Sequence, residues 1–335
     1  MKLRTVALLS LSMISMSAFA QDAAKPYLGR WALTIPGGAA GWLQITNENG
    51  FLDGSILWGG GSVVPVACVG TAEGRLFVLR LSDVQRKNEK GEVIKVQQVP
   101  EALFGSVEGD TINFERHELR RDGSGMDVST FSGTRIPDLP PAPDLSKVTY
   151  GDPITLFNGQ NLDGWQLTDP NQVNGWSAKD GLLINDPVQA EGQPHKSYGN
   201  LRTTQEFEDF TLECDVNVLP KGNSGIYLRG IYEVQVEDSY AKPVDSHHMG
   251  GVYSRITPLL PAEKPAGEWQ HLDITLCDRH VTVKLNNILI IDNQPLLGCT
   301  GGALWSDESK PGPIYLQGDH TGVQYKDLVL KPIVK

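Results

Sequence analysis

Residues 222–238 read Gly-Asn-Ser-Gly-Ile-Tyr-Leu-Arg-Gly-Ile-Tyr-Glu-Val-Gln-Val-Glu-Asp, and their order concentrates the polar groups on one side. Two alternating runs meet at Gly230. In an extended chain successive side chains point to opposite faces, so Tyr227 and Arg229 share one face while Ile226 and Leu228 share the other. In the second run Glu233, Gln235 and Glu237 lie on one face and the apolar Tyr232, Val234 and Val236 on its opposite. Carboxylate, amide and guanidinium groups in one row could bind and proton-exchange with a polar substrate. A solvated sheet face carries the same groups, and periodicity alone leaves both readings open.

Each residue has a chemical reason for selection and a plainer alternative. Glu233 is central and would act as a general acid or base if burial raised its pKa; otherwise it is a surface carboxylate paired with Arg229. The fork of Arg229 suits the hydroxyl oxygens of a polar ligand, or a buried ion pair. His320, in Gln317-Gly318-Asp319-His320, can move protons near neutrality, though loop histidines are often merely exposed. Asn223 and Gln235 could orient hydroxyls, or cap a turn and bond a sheet edge. Glu213, Tyr227 and Gln317 complete a polar surface that suits a sugar. The sequence requires no cofactor, but Asp238, His247 and His248, with Asp245 near them, offer ligands for a divalent cation, either a transition metal or calcium. Adjacent histidines on a strand face opposite ways, so at most one of that pair would ligate.

The positioning elements are strands. Thirty-six glycines and twenty-one prolines without a period divide the chain into short runs, which predicts an all-β protein. Residues 21–137 read as an N-terminal β domain, a small barrel or sandwich, whose Gly29-Arg30-Trp31 is similar to the opening of lipocalin-like barrels. Any β core capped by tryptophan would share that feature. The Pro-rich stretch over 138–150 reads as a stiff linker, and 151–335 as a second domain. There Leu212, Cys214, Val216 and Val218 alternate with polar residues, and Asn286-Asn287 joins two further runs as a tight hairpin.

A net charge of −11 with no basic stripe argues against nucleic acid and anionic membranes as partners. Residues 1–20 have the form of a secretory signal: Lys2 and Arg4, an apolar stretch, then Ala18-Phe19-Ala20. The expected mature protein is exported, periplasmic or secreted, after cleavage near Ala20, and no later stretch reaches the ~20 apolar residues of a membrane span. Cys68, Cys214, Cys277 and Cys299 allow three disulfide connectivities, which spacing does not resolve. A buried free thiol is the plainer reading of Cys214.

Leu156-Phe157-Asn158-Gly159-Gln160-Asn161-Leu162-Asp163-Gly164-Trp165, followed in order by the 223–229 and 232–240 segments, His247-His248, Pro265-Ala266-Gly267-Glu268-Trp269-Gln270, Thr300-Gly301-Gly302-Ala303-Leu304 and Gly312-Pro313-Ile314-Tyr315-Leu316-Gln317-Gly318-Asp319-His320, resembles the 3-keto-disaccharide hydrolase family over about residues 150–335. The resemblance implies a concanavalin A-like two-sheet sandwich, or jelly roll, acting on glycosides or disaccharides already oxidised at sugar carbon 3. The ketone acidifies the hydrogen on carbon 2, so elimination followed by hydration becomes a route to hydrolysis, with a base, an enolate stabiliser and an acid required. The alternatives are a lectin-like carbohydrate-binding protein on the same fold and a conventional endo-glucanase-like hydrolase, which needs two carboxylates at the scissile bond. The amide at Gln235, between Glu233 and Glu237, counts against the last.

Overall fold

The computed structural model describes residues 23–88, 90–120, 123–189 and 196–334; the segment over 1–20, expected to be a secretory signal, lies outside the described residues. The chain divides into two compact units, one comprising Met1–Gly59 and Val63–Pro137, the other Gly60–Ser62 and Asp138–Lys335.

The first unit is a meander of β1 (Gly29–Thr34), β2 (Ala40–Glu48), β3 (Phe51–Trp58), β4 (Val64–Pro65), β5 (Cys68–Ala72), β6 (Arg75–Lys87), β7 (Val93–Glu108), β8 (Thr111–Leu119) and β9 (Met126–Arg135). Asn49 and Gly50, both at positive φ, form the two-residue turn between β2 and β3, where asparagine and glycine accept the left-handed backbone at least cost. Antiparallel pairing of β1 with β9 joins the two halves of the meander. The remaining gap is bridged at Val66 and Ala67, whose N–H groups donate to Gly54 on β3 and Leu79 on β6, so the sheet closes as a barrel. Trp31, Leu33, Leu43, Ile56, Leu103 and Phe114 fill its interior. Trp31 is therefore core; its indole donates to the Tyr27 carbonyl at 3.0 Å, and the Arg135 guanidinium lies 4.1 Å from its ring centroid.

The inward row of β7 runs from Gly105 and Leu103 to Glu101, which is only 3% exposed. Arg80, opposite it on β6, donates from Nε and a terminal nitrogen at 3.0 and 2.9 Å, while Arg116 on β8 donates at 2.9 Å and Ser82 at 2.8 Å. Burial alone would raise this carboxyl's pKa, but the hydrogen bonds and charges of Arg116 and Arg80 bring it down to about 2.

The second unit has two sheets. Its strands are β10 (Thr149–Tyr150), β11 (Ile154–Thr155), β12 (Trp165–Leu167), β13 (Trp176–Lys179), β14 (Leu182–Asn185), β15 (Leu201–Thr203), β16 (Phe210–Val218), β17 (Asn223–Leu228), β18 (Tyr232–Glu237), β19 (Gln270–Cys277), β20 (His280–Leu285), β21 (Ile288–Pro295), β22 (Tyr315–Leu316) and β23 (Val323–Val334). The larger sheet runs β13-β14-β23-β16-β19-β20-β21, with β10 and β11 also on β23, and the smaller runs β12-β15-β22-β17-β18. Leu212, Cys214, Val216 and Val218 are the buried side of β16, as their alternation requires. Asn286 and Asn287 both take positive φ between β20 and β21, supplying the expected hairpin. Ser224 on the smaller sheet reaches Tyr325 on the larger, with 2.9 Å between their hydroxyl oxygens. The four cysteines form no disulfide with one another, and burial pushes the Cys214 thiol up to about 12. No helix among the described residues is long and apolar enough to cross a membrane.

Candidate functional site

The smaller sheet positions the site. In the β17–β18 hairpin Tyr227 lies opposite Glu233 and Gly225 opposite Gln235, so the face pointing away from the core carries Asn223, Tyr227, Glu233 and Gln235. Tyr315 on β22 pairs with Tyr227, their rings stacked at 4.1 Å between centroids. Gln317 follows, its N–H donating to the Gly225 carbonyl at 2.9 Å. These residues, with Asn200, Tyr253, Asp319 and His320, line one cleft.

The face is not solvated. Glu233 is 3% exposed, Gln235 2% and Tyr227 1%. Two backbone segments account for this: Gly250–Tyr253 hydrogen-bonds along the outer edge of β18 through Glu233 and Gln235, and Thr300 receives the Glu233 N–H on its hydroxyl. Gly225 has a specific use, because a Cβ there would stand 2.4 Å from Glu233 Oε1. The carboxyl occupies the space that glycine leaves.

Burial is the main reason that Glu233 is pushed up to about 8. The Tyr227 hydroxyl and the charge of His320 pull the other way without cancelling it, and Asp319 adds to the rise. No cation hydrogen-bonds the carboxyl among the described residues. His320 Nδ1 is 2.8 Å from Asp319 Oδ1, and this hydrogen bond raises the imidazole above its ordinary value of 6.5 despite partial burial. The loop that carries the pair is tied down by amides. Asn185 donates to the Gly318 and Thr321 carbonyls, Asn200 accepts from the Gly318 N–H, and Asn223 exchanges two backbone hydrogen bonds with the Thr321 hydroxyl. A side chain at Gly318 would meet Trp176 Nε1 at 2.5 Å, so the backbone must pass against that indole. The side-chain carbonyl oxygen of Gln317 is buried and has no hydrogen-bond partner among the described residues, leaving a spare acceptor in the cleft.

Glu233, His320, Asn223, Tyr227, Gln235 and Gln317 thus come together. Two expected residues do not. Arg229 is 3% exposed and is absent from the cleft lining; its guanidinium donates to the Glu308 and Lys310 carbonyls. Arg229 is at the hairpin turn with φ 54°, where the backbone is no longer extended and alternation with Tyr227 ends. It ties down the 308–310 segment, so the clamp role expected from the alternation is corrected. Glu213 lies on β16 of the larger sheet and pairs with Lys331 Nζ at 2.8 Å. Its alternation is as expected, but strand periodicity does not say which sheet a strand joins. The expected metal ligands also separate: Asp238 accepts from the Lys221 N–H, His247 bonds Asp245, and His248 Nδ1 bonds the Pro243 carbonyl. Among the described residues the ligating side chains that do cluster are Asp209, Cys277 and Asp278, outside the cleft lining.

Asp319, Asn200, Asn185 and Tyr253 were not selected from sequence. Asp319 had a signal, an acidic neighbour of a candidate histidine in a Gly-containing loop, where adjacent side chains can meet as they cannot in a strand. The others are ordinary polar residues whose roles come from distant pairing.

The smaller sheet of the β-sandwich thus gathers a buried carboxyl, an aspartate-supported imidazole and several side-chain amides in one cleft. The chain belongs to the 3-keto-alpha-glucoside-1,2-lyase-like domain family, whose profile matches residues 152–331. A 3-keto-disaccharide hydrolase of Bacteroides thetaiotaomicron is 28% identical over 149 residues, covering 36% of this chain and 51% of the relative. The chain thus spans about half the length of that curated relative. A solved structure described as a putative glycosyl hydrolase from Parabacteroides distasonis is 27% identical, with a TM-score of 0.45, covering 59% of this chain and 93% of the other. A second from the same organism is 19% identical, also with a TM-score of 0.45, covering 54% and 94%.

Proposed function

We propose that this protein cleaves glycosides bearing a ketone at sugar carbon 3, by elimination across carbons 1 and 2 followed by addition of water. The observation that carries this reading is the pairing of one buried carboxyl, up at about 8, with an imidazole in the same cleft. Both groups exchange protons near neutrality, as removal of an acidified carbon-bound hydrogen and protonation of a leaving oxygen require. The cleft's other carboxylate, Asp319, is engaged by His320, which disfavours a mechanism built on two free carboxylates flanking the bond. Asn200, Asn223, Gln235 and Gln317 supply hydrogen bonds to sugar hydroxyls. The match to a 3-keto-disaccharide hydrolase supports the substrate class.

The test is incubation with a 3-keto-glucoside and with its unoxidised parent in deuterated water. Release from the keto substrate alone, with deuterium incorporated at carbon 2, is expected. Release from the parent would indicate a conventional hydrolase, and binding without release a lectin. The reading also has the mature chain exported, and N-terminal sequencing of extracellular or periplasmic protein should begin near Gln21.

A further inference from the structure

Tyr227 has one phenolic proton and two oxygens within reach: Glu233 Oε2 at 2.8 Å and the Gly301 carbonyl at 2.7 Å. A carbonyl oxygen can only accept. Without a proton between them, the phenol and the Gly301 oxygen would be two buried lone-pair centres in contact, a costly arrangement. Both short contacts are satisfied at once only if Tyr227 donates to Gly301 and Glu233 donates to Tyr227. Glu233 then carries a proton. The position of the phenol is itself constrained, since a Cβ on Gly302, which sits at φ 80°, would stand 2.5 Å from the Tyr227 hydroxyl.

Resting on the 3-keto-glycoside reading, we propose that Glu233 is the acid that protonates the leaving oxygen, that His320 held by Asp319 is the base at carbon 2, and that Tyr227 is a positioning residue whose hydroxyl serves both states of Glu233. In the resting enzyme the phenol points at Gly301. When substrate enters, His320 takes the carbon-2 hydrogen as a proton, the carbon 1–oxygen bond breaks, and the Glu233 proton passes to the departing oxygen. The Tyr227 hydroxyl then turns to the new carboxylate. In the second half water adds to carbon 1 and yields its proton to Glu233, while imidazolium His320 returns a proton to carbon 2. The sum is hydrolysis, with both groups restored. The titratable side chains that share the cleft with Glu233 are Tyr227, Tyr253, Tyr315, Asp319 and His320, and neither Tyr227 nor Tyr315 ionises near neutrality because burial raises both.

Two measurements test the assignment. The first is kcat/KM for 3-keto-glucosides with alkyl and nitrophenyl leaving groups. Glu233→Gln should lose about 10²-fold or more on the alkyl glycoside and under about tenfold on the nitrophenyl one, whose oxygen departs without protonation. His320→Gln should lose similar factors on both. Equal losses for Glu233→Gln on the two substrates would overturn the assignment. The second needs no activity: isotope-edited infrared difference spectra of wild type minus Glu233→Gln at pH 7 should show a protonated carboxyl band that shifts in Tyr227→Phe. A carboxylate band instead would overturn the proton placement. If wild type cleaves neither ketone but the band is present, the substrate reading fails while the proton placement stands.

Discussion

Two glutamates, one in each unit, are both hidden from solvent, Glu233 the more deeply packed, and have opposite chemistry. Glu101 and Glu233 are each 3% exposed, yet the first is down at about 2 and the second up at about 8, from the same ordinary value of 4.5. Glu101 receives four hydrogen bonds, three from arginines. Glu233 meets a single hydroxyl whose proton has a second acceptor. Burial sets the size of the electrostatic stakes, and the donors sharing the site set the sign. The barrel surrounds its glutamate with cations, while the sandwich surrounds its glutamate with none among the described residues, which on the proposed reading leaves it a proton to give.

The comparison is broken most severely by making each site resemble the other. Glu233→Gln keeps the shape and removes the proton, and should lower kcat/KM by about 10²–10⁴-fold on a poor leaving group while leaving the thermal unfolding of the sandwich intact or raised. Glu101→Gln should do the reverse, leaving turnover unchanged and destabilising the barrel by about 3–5 kcal/mol, because Arg80 and Arg116 lose a buried partner. Calorimetric unfolding of the full chain beside a turnover assay separates the two. Loss of turnover in Glu101→Gln with the sandwich transition unchanged would contradict the division.

A smaller effect is the tilt of stability with pH, which should have opposite signs at the two sites. Glu101 is depressed, so its contribution is present above 4.5 and lost as pH falls toward about 2. Glu233 is raised, so the unfolded chain ionises from 4.5 upward while the folded carboxyl stays neutral to about 8, and stability declines across that window. The whole decline is on the order of 3–5 kcal/mol. Urea unfolding at pH 5 and pH 8 should show a steeper decline in wild type than in Glu233→Gln, where only the smaller decline from the raised His320 remains. Turnover has its own window: activity should fall above about 8 as Glu233 loses its proton, and on the acid side at a pH above 6.5, where His320 gains one.

The Glu233 half of this contrast was legible in the residue order, because alternation is a local property; nothing there singled out Glu101. Ile226, Leu228, Val234 and Val236 are buried as their period demands, and Glu233 and Gln235 share the opposite face. Gly225, a glycine in mid-strand, leaves the space that admits the carboxyl, which alternation does not reveal. What alternation could not carry was anything set by pairing partners. Arg229 continues the pattern on paper but sits in the turn, and Glu213 obeys the pattern in the other sheet. Asn185 and Asn200 hold the His320 loop across more than a hundred residues of chain, a separation at which no spacing rule operates. The burial of Glu233 itself comes from segments near 250 and 300.

The smallest expected effect sharpens the comparison from a third glutamate. Glu213 has a cation at 2.8 Å, as Glu101 does, but its side chain is 39% exposed and that of Lys331 37%. Water solvates both charges, so the pair gains little Coulomb energy over its separated partners and loses side-chain freedom in forming. Glu213→Ala should therefore cost about 0.2–1 kcal/mol, measured by urea unfolding and reduced further at high salt. Turnover should stay within about twofold, since the residue stands on the sheet that does not bear the cleft; this follows from its strand pairing with β19 and β23. A tenfold loss of kcat/KM at unchanged stability would mean that substrate contacts the larger sheet, and the site would then have to extend beyond the hairpin of Tyr227 and Glu233.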